Sequence, residues 1–216
     1  MYNEPLKDTL HAGLVQLGVA LPGAAEQGLI DFLRLIEKWN RVYNLTAVRD
    51  PHDMVTRHLL DSLAILPYVK GPRVLDIGTG AGLPGIPLAV ARPGLSFVLL
   101  DSNAKKTRFV TQAAVELKLG NVEAVHARVE KYLPVRKFDT LIARAYATIA
   151  QILEDAAPLC APEGEFLIMK GVFPEDELAQ VPASFEIIEV HALTVPGLNE
   201  QRHLVRLRHA APQEPV

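Results

Sequence analysis

The 216 residues carry 22 Lys and Arg against 25 Asp and Glu, a formal charge of −3, with 49% hydrophobic side chains and one cysteine. This is the size and balance of one globular domain with a small appendage, and it excludes a chain that coats nucleic acid or membrane through bulk positive charge. Cys160 alone makes no internal disulfide and no Cys/His cluster has zinc-ligand spacing, so a metal-free fold in a reducing cytoplasm is expected. The start, MYNEPLKDTL, has no apolar h-region and no stretch approaches about 18 uninterrupted apolar residues, so neither export nor a membrane span is expected.

Residues 1–72 predict a helical cap. Apolar side chains recur at helical spacing in Leu29, Leu33 and Ile36 and again in Leu59, Leu63 and Leu66. Pro51 after Asp50 suits a helix start, and Leu66-Pro67 closes that helix because the residue before proline is pushed out of the α region. Near Gly71-Pro72 the pattern changes to short apolar runs separated by helix-like stretches: RVLDI, SFVLLD, VEAVHA, FDTLIA and GEFLIMK. Such alternation predicts an α/β fold with a parallel sheet over residues 73–210, covered by helices on both faces. FEIIEVHALTV and HLVRLR, joined around Pro196-Gly197-Leu198-Asn199, predict an antiparallel C-terminal hairpin. The tail, 211–216, is expected to be disordered.

The most informative segment is Val74-Leu75-Asp76-Ile77-Gly78-Thr79-Gly80-Ala81-Gly82-Leu83-Pro84-Gly85. A strand runs into a glycine-rich turn and then a helix, a device that brings bare backbone and free N–H groups to an anionic ligand. Residues 80–85 also fit the dinucleotide pattern G-x-G-x-x-G, but Gly78 already holds the place of its first glycine, and a carboxylate beside a pyrophosphate would be repelled. S-adenosylmethionine, with an ammonium and a sulfonium for Asp76 and a carboxylate for the backbone, satisfies D-x-G-x-G-x-G better. Asp101, ending the second run, is placed for ribose hydroxyls or for capping the helix that begins near Ala104. Gly78→Asp is expected to abolish cofactor binding. A methyltransferase acting on RNA, one acting on a small molecule, and an NAD(P)-binding oxidoreductase stay open at this point.

VLDIGTGAGLPGIPLA, LLDSNAKKTRF, HARVE, FDTLIARAYA and LIMKG, with WNRVYNLTAVRD and RHLLDS upstream, resemble the RsmG (glucose-inhibited division protein B) family of 16S ribosomal RNA guanine-N7 methyltransferases, from about Phe32 to Arg208. The resemblance implies a Rossmann-like class I fold with seven strands, and methyl transfer from S-adenosyl-L-methionine to N7 of the guanine at position 527, in the 530 loop. It implies cofactor contacts from Gly78 and Leu83, from Asp101, Ser102 and Asn103, from Val129 and Glu130 beside the adenine, and from Arg144, to which the glycine-turn reading adds Asp76 and Gly80. Its S-R-A-F motif reads Ala143-Arg144-Ala145-Tyr146 here, which keeps a ring. The partner implied is 16S rRNA or the small subunit, engaged by a cytoplasmic monomer.

The chemistry asks for little. Guanine N7 has a free lone pair at neutral pH, so alignment and exclusion of water suffice and no general base is required. No catalytic residue is therefore assigned. Arg144 and Lys170, at strand ends, are candidates to hold a guanine oxygen or phosphate, and Tyr146 or Phe173 to stack on an extruded base, although a phenylalanine at the place of Phe173 is more often a core aromatic. Asn40, Asn44, Thr46, Arg57, His58 and Asp61, from the cap, are expected either to overhang the site or to serve as caps and surface. Cys160, in Pro-Leu-Cys-Ala-Pro, reads as buried packing and not as a nucleophile. The charge is uneven: residues 101–137 hold eight Lys and Arg against four Asp and Glu, whereas 138–216 hold five against twelve. Lys105, Lys106, Arg108, Arg128, Lys131, Arg136 and Lys137, with Arg202, Arg206 and Arg208 from the hairpin, are the candidates for local phosphate contact.

Overall fold

A computed structural model describes residues 3–211. Apart from Ala211, the tail expected to be disordered lies outside the described residues. Strands β1 (Arg73–Ile77), β2 (Ser96–Asp101), β3 (Val122–His126), β4 (Phe138–Arg144), β5 (Cys160–Lys170), β6 (Phe185–Ala192) and β7 (His203–His209) form one sheet in the order β3-β2-β1-β4-β5-β7-β6. The first five are mutually parallel, and β7 runs antiparallel to both β5 and β6.

The near-continuous apolar runs are explained by two cores, one on each face, because successive strand residues point to opposite sides. Val74, Leu99, Ile142 and Leu167 enter one core, and Leu75, Leu100, Leu141 and Phe166 the other. The second core is closed by α7 (Ile149–Ala156) through Ile149, Ile152 and Leu153. The first is closed by α5 (Gly85–Ala91), α6 (Ala104–Glu116) and the helices of the cap, so cap and sheet share one apolar interior.

In that cap, α1 (Asn3–Leu17) contributes Leu6, Leu10 and Leu14, and α2 (Gly23–Tyr43) contributes Leu29, Phe32, Leu33 and Ile36. Phe32 and Trp39 of α2 pack on Phe109 of α6, ring centroids 6.3 and 5.6 Å apart. Pro51 opens α3 (Pro51–Met54), and Asp50 caps it by accepting from the N–H groups of His52 and Asp53. The helix then departs from the simple expectation. It passes through a π-helical turn (Val55–Leu60) before α4 (Asp61–Leu63), and such turns carry one extra residue per turn and recur at functional sites.

Three local features differ from the sequence reading. Pro84, which proline's fixed φ suits to a first helical turn, instead precedes α5 as its N-cap. β6 ends at Ala192, and Val195, read as strand, is buried in the connection. A short helix, α8 (Glu175–Leu178), lies between β5 and β6. Cys160 starts β5 at the amino edge, almost fully buried, and burial pushes its thiol up to about 12, as befits packing.

Candidate active site

The glycine turn leaves β1 and is held from below by Asp76. This carboxylate is 1% exposed. Its Oδ2 accepts from Thr79 Oγ1 at 2.6 Å and from the Gly85 N–H at 2.9 Å, while Oδ1 is buried with no partner. A Cβ on Gly85 would stand 2.7 Å from Oδ2, so glycine is what admits the contact. Burial pushes the Asp76 carboxyl up to about 6. Asp76 therefore shapes the turn from behind and is absent from the residues that line the cleft above it.

That cleft, about 440 Å³, opens between the ends of β1, β2 and β4. Gly78, at φ +66°, forms its floor, and a Cβ there would lie 2.5 Å from the Tyr146 ring, so any side chain fills the space between turn and ring. Asp101 Oδ2 accepts from the Gly80 N–H at 2.9 Å and Oδ1 from the Asn103 N–H at 2.8 Å, which orients the carboxylate and leaves each oxygen a second lone pair for a ribose hydroxyl. Asn103, not Asp101, caps α6 through its side chain. Val129 and Glu130 line the far wall with Ser102. Lys106 and Arg128 line it too. The sequence placed them only in a basic block, and the signal that singles out Lys106 is its spacing of five from Asp101, across the first turn of α6.

A second cleft, of about 450 Å³, adjoins the first, and Ala145 lies in the wall of both. Ala145 has φ +51°, a left-handed backbone that costs a non-glycine residue about 1 kcal/mol. In an extended strand Arg144 and Tyr146 would point the same way. The turn at Ala145 separates them, sending Tyr146 into the first cleft and Arg144 into the second. Tyr146 thus stands on the glycine-turn side, and Arg144 stands beside the cap.

Arg144 Nη1 donates to Asp61 Oδ2 at 3.0 Å, and Arg202 Nε donates to Asp61 Oδ1 at 2.9 Å. Glu200 bridges Arg202 and Arg57, at 3.2 and 2.8 Å. Three guanidinium groups thus rest on two carboxylates, leaving one positive charge in excess. His58 faces the same cleft, with Nε2 3.0 Å from Thr46 Oγ1 and Nδ1 buried without a partner. Burial first, and then the Arg144 charge, lower its pKa to about 4, so the ring is neutral at pH 7. Arg202 and Asp61 come from segments 141 residues apart, which sequence spacing does not connect.

The remaining candidates are placed as follows. Lys170 reaches the second cleft, yet its ammonium donates to Glu177 and to the Ala147 carbonyl, so it fastens β5 to α8 and is not free for phosphate. Asn40 accepts from the Thr46 N–H and donates to its carbonyl, pinning the loop that carries Asn44. Asn44 is exposed in a left-handed C-cap position and accepts from Arg49. Leu83 is buried in the first core and lines neither cleft. Phe173 is exposed, not core. Arg206 pairs with Glu165 of β5 and Arg208 with Glu186 across the hairpin, away from both clefts. Among the described residues, no group of three or more His, Cys, Asp or Glu is placed to hold a metal, and no helix is long and apolar enough to cross a membrane.

A parallel sheet with an antiparallel β7 inserted beside β5, and a glycine turn facing an acidic strand end, define a class I S-adenosylmethionine-dependent methyltransferase. Solved structures share this fold: a SAM-dependent methyltransferase from Aquifex aeolicus (TM-score 0.60, 19% identity, 76% of this chain and 96% of that one) and magnesium protoporphyrin IX methyltransferase from Synechocystis with bound SAM (0.60, 18%, 82% and 97%). The family model for rRNA small subunit methyltransferase G matches residues 25–205. Proteins of that description from Nitrosococcus oceani and Alkalilimnicola ehrlichii are 55% and 52% identical, over 94% and 95% of this chain and 94% and 93% of theirs. The chain belongs to the rRNA small subunit methyltransferase G family.

Proposed function

We propose that the protein methylates N7 of the guanine at position 527, in the 530 loop of 16S rRNA, with the cofactor in the first cleft and the guanine in the second. The observation that carries this reading is the shared wall at Ala145, which sets a cleft holding the Asp101 carboxylate, suited to ribose hydroxyls, beside a cationic one. Asp101 holds the ribose hydroxyls, Ser102, Val129 and Glu130 border the adenine, and the bare backbone at Gly78 receives the amino-acid end. Bound there, S-adenosylmethionine supplies an electrophilic methyl group.

Arg57, Arg144 and Arg202 supply N–H donors for guanine O6 and for flanking phosphate, where a guanidinium is the strongest match. N7 stays unbonded so that its lone pair can attack in line. A His58 ring with pKa about 4 is a poor base, which agrees with a nucleophile that has no proton to lose. The enzyme is read as a monomer, acting in the cytoplasm on its ribosomal substrate.

The test is incubation with methyl-labelled cofactor and small subunits, or free 16S rRNA, from cells lacking this modification. Nuclease digestion should release the label as 7-methylguanosine from one site. Label in another nucleoside, or none, overturns the reading, and comparing subunits with free rRNA identifies the physiological substrate.

A further inference from the structure

Val172 and Phe173 follow directly on Lys170 and Gly171 in the wall of the second cleft, and they are 72% and 51% exposed. Two adjacent large apolar side chains in water need a reason, since burying either would be favourable. Phe173 is not left loose. The His203 ring packs edge-on against Phe173, centroids 5.6 Å apart at 81°, and His203 Nδ1 lies 3.1 Å from the Gly171 carbonyl oxygen. His203 also pairs in register with Lys170 and follows Arg202 of the cationic cluster. The aromatic ring is therefore held at the rim, beside the guanidinium groups.

We propose that Phe173, with Val172 beside it, is a wedge that enters the RNA stack next to the target guanine. The inference rests on the RNA reading above. A guanine whose N7 must meet a methyl group in its own plane cannot stay stacked, because an A-form major groove is too deep and narrow to admit the reaction partner. Turning the base into the second cleft exposes the faces of its neighbours. An apolar ring fixed at the mouth of that cleft covers one of them, and the continuity of the wedge with Arg57, Arg144 and Arg202 puts the flanking phosphates on cations as the ring enters. Phe173 acts in this way as a positioning residue and touches neither cofactor nor reacting atom.

The experiment compares wild type, Phe173→Ala, Phe173→Trp and Phe173→Lys on undermethylated small subunits. Base stacking on an aromatic side chain predicts that Phe173→Ala lowers kcat/KM by roughly five- to hundredfold. Phe173→Trp should restore it and Phe173→Lys should not. Melting temperature and S-adenosylmethionine affinity should be unchanged in all three, because the residue is exposed and outside the first cleft. In a complex with the demethylated cofactor, 2-aminopurine placed beside the target guanine should fluoresce more with Phe173→Ala than with wild type, where the ring keeps it stacked. Wild-type kcat/KM in Phe173→Ala, or equal rescue by Lys and Trp, overturns the wedge. Failure of the wild type to label guanine N7 would instead overturn the RNA reading.

Discussion

Asp61 carries Arg144 on one oxygen and Arg202 on the other, and it is 2% exposed, so its removal takes the shared buried carboxylate from two guanidinium groups at once and leaves Arg202 with Glu200 alone. Asp61→Ala should lower kcat/KM about 100-fold, by loss of alignment, and leave S-adenosylmethionine affinity unchanged, as steady-state kinetics and calorimetry can separate. His58 and Asp76 pull pH dependence in opposite directions. The His58 pKa of about 4 lies below its ordinary 6.5, so its contribution to stability is full above pH 6.5 and lost as the pH falls towards 4. The Asp76 pKa of about 6 lies above 3.8, so its buried charge costs most above pH 6 and the cost is relieved as the pH falls. In wild type these trends largely cancel between pH 7 and 5. His58→Gln leaves only the Asp76 trend, and its melting temperature relative to wild type should rise over that interval, measured by thermal melts at each pH.

Helix α2 is fixed to α6 by the stack of Phe32 and Trp39 on Phe109, and α6 in turn begins at the Asn103 cap behind Asp101. Phe109→Ala should cost about 3–5 kcal/mol in unfolding free energy. It should also weaken cofactor binding, since Asn103 and Lys106 ride on the same helix, and denaturant titration with and without S-adenosylmethionine checks both. The strands were legible in the sequence because each is a short apolar run bounded by helix-like polarity, as in SFVLLD. The π-helical turn was not, because Leu59, Leu63 and Leu66 keep helical spacing whether or not the hydrogen-bond ladder slips by one residue. Nor was the left-handed Ala145, since alanine gives no signal for positive φ. That one backbone angle decides which cleft Arg144 enters.

Across the whole molecule, the charge of −3 coexists with a cleft that carries a small positive excess. RNA binding should weaken with salt along a shallow slope, about +2 in log Kd against log salt, as for two or three neutralised phosphates. Arg202→Gln should lessen that slope, and Arg206→Gln should leave it unchanged because Arg206 is spent on Glu165, both read by filter binding over a salt series. Linear charge counts put Lys106 and Arg128 in one basic block with Lys131, Arg136 and Lys137, and only the first two line a cleft. The cofactor half of the site was legible because a strand, a glycine turn and the next strand end keep it local in sequence. The acceptor half was not, because Asp61, Arg144 and Arg202 meet only through tertiary folding.

Ala145 also sets a length. Successive Cα atoms lie about 3.8 Å apart, so the two sites are divided by a partition one amino acid thick, rooted where β4 leaves the middle of the sheet. On the reading proposed above, the gap that the methyl group crosses is therefore set in the middle of the sheet, apart from the rim that meets the RNA. Selection on rim residues can therefore change which RNA is admitted without retuning the transfer itself.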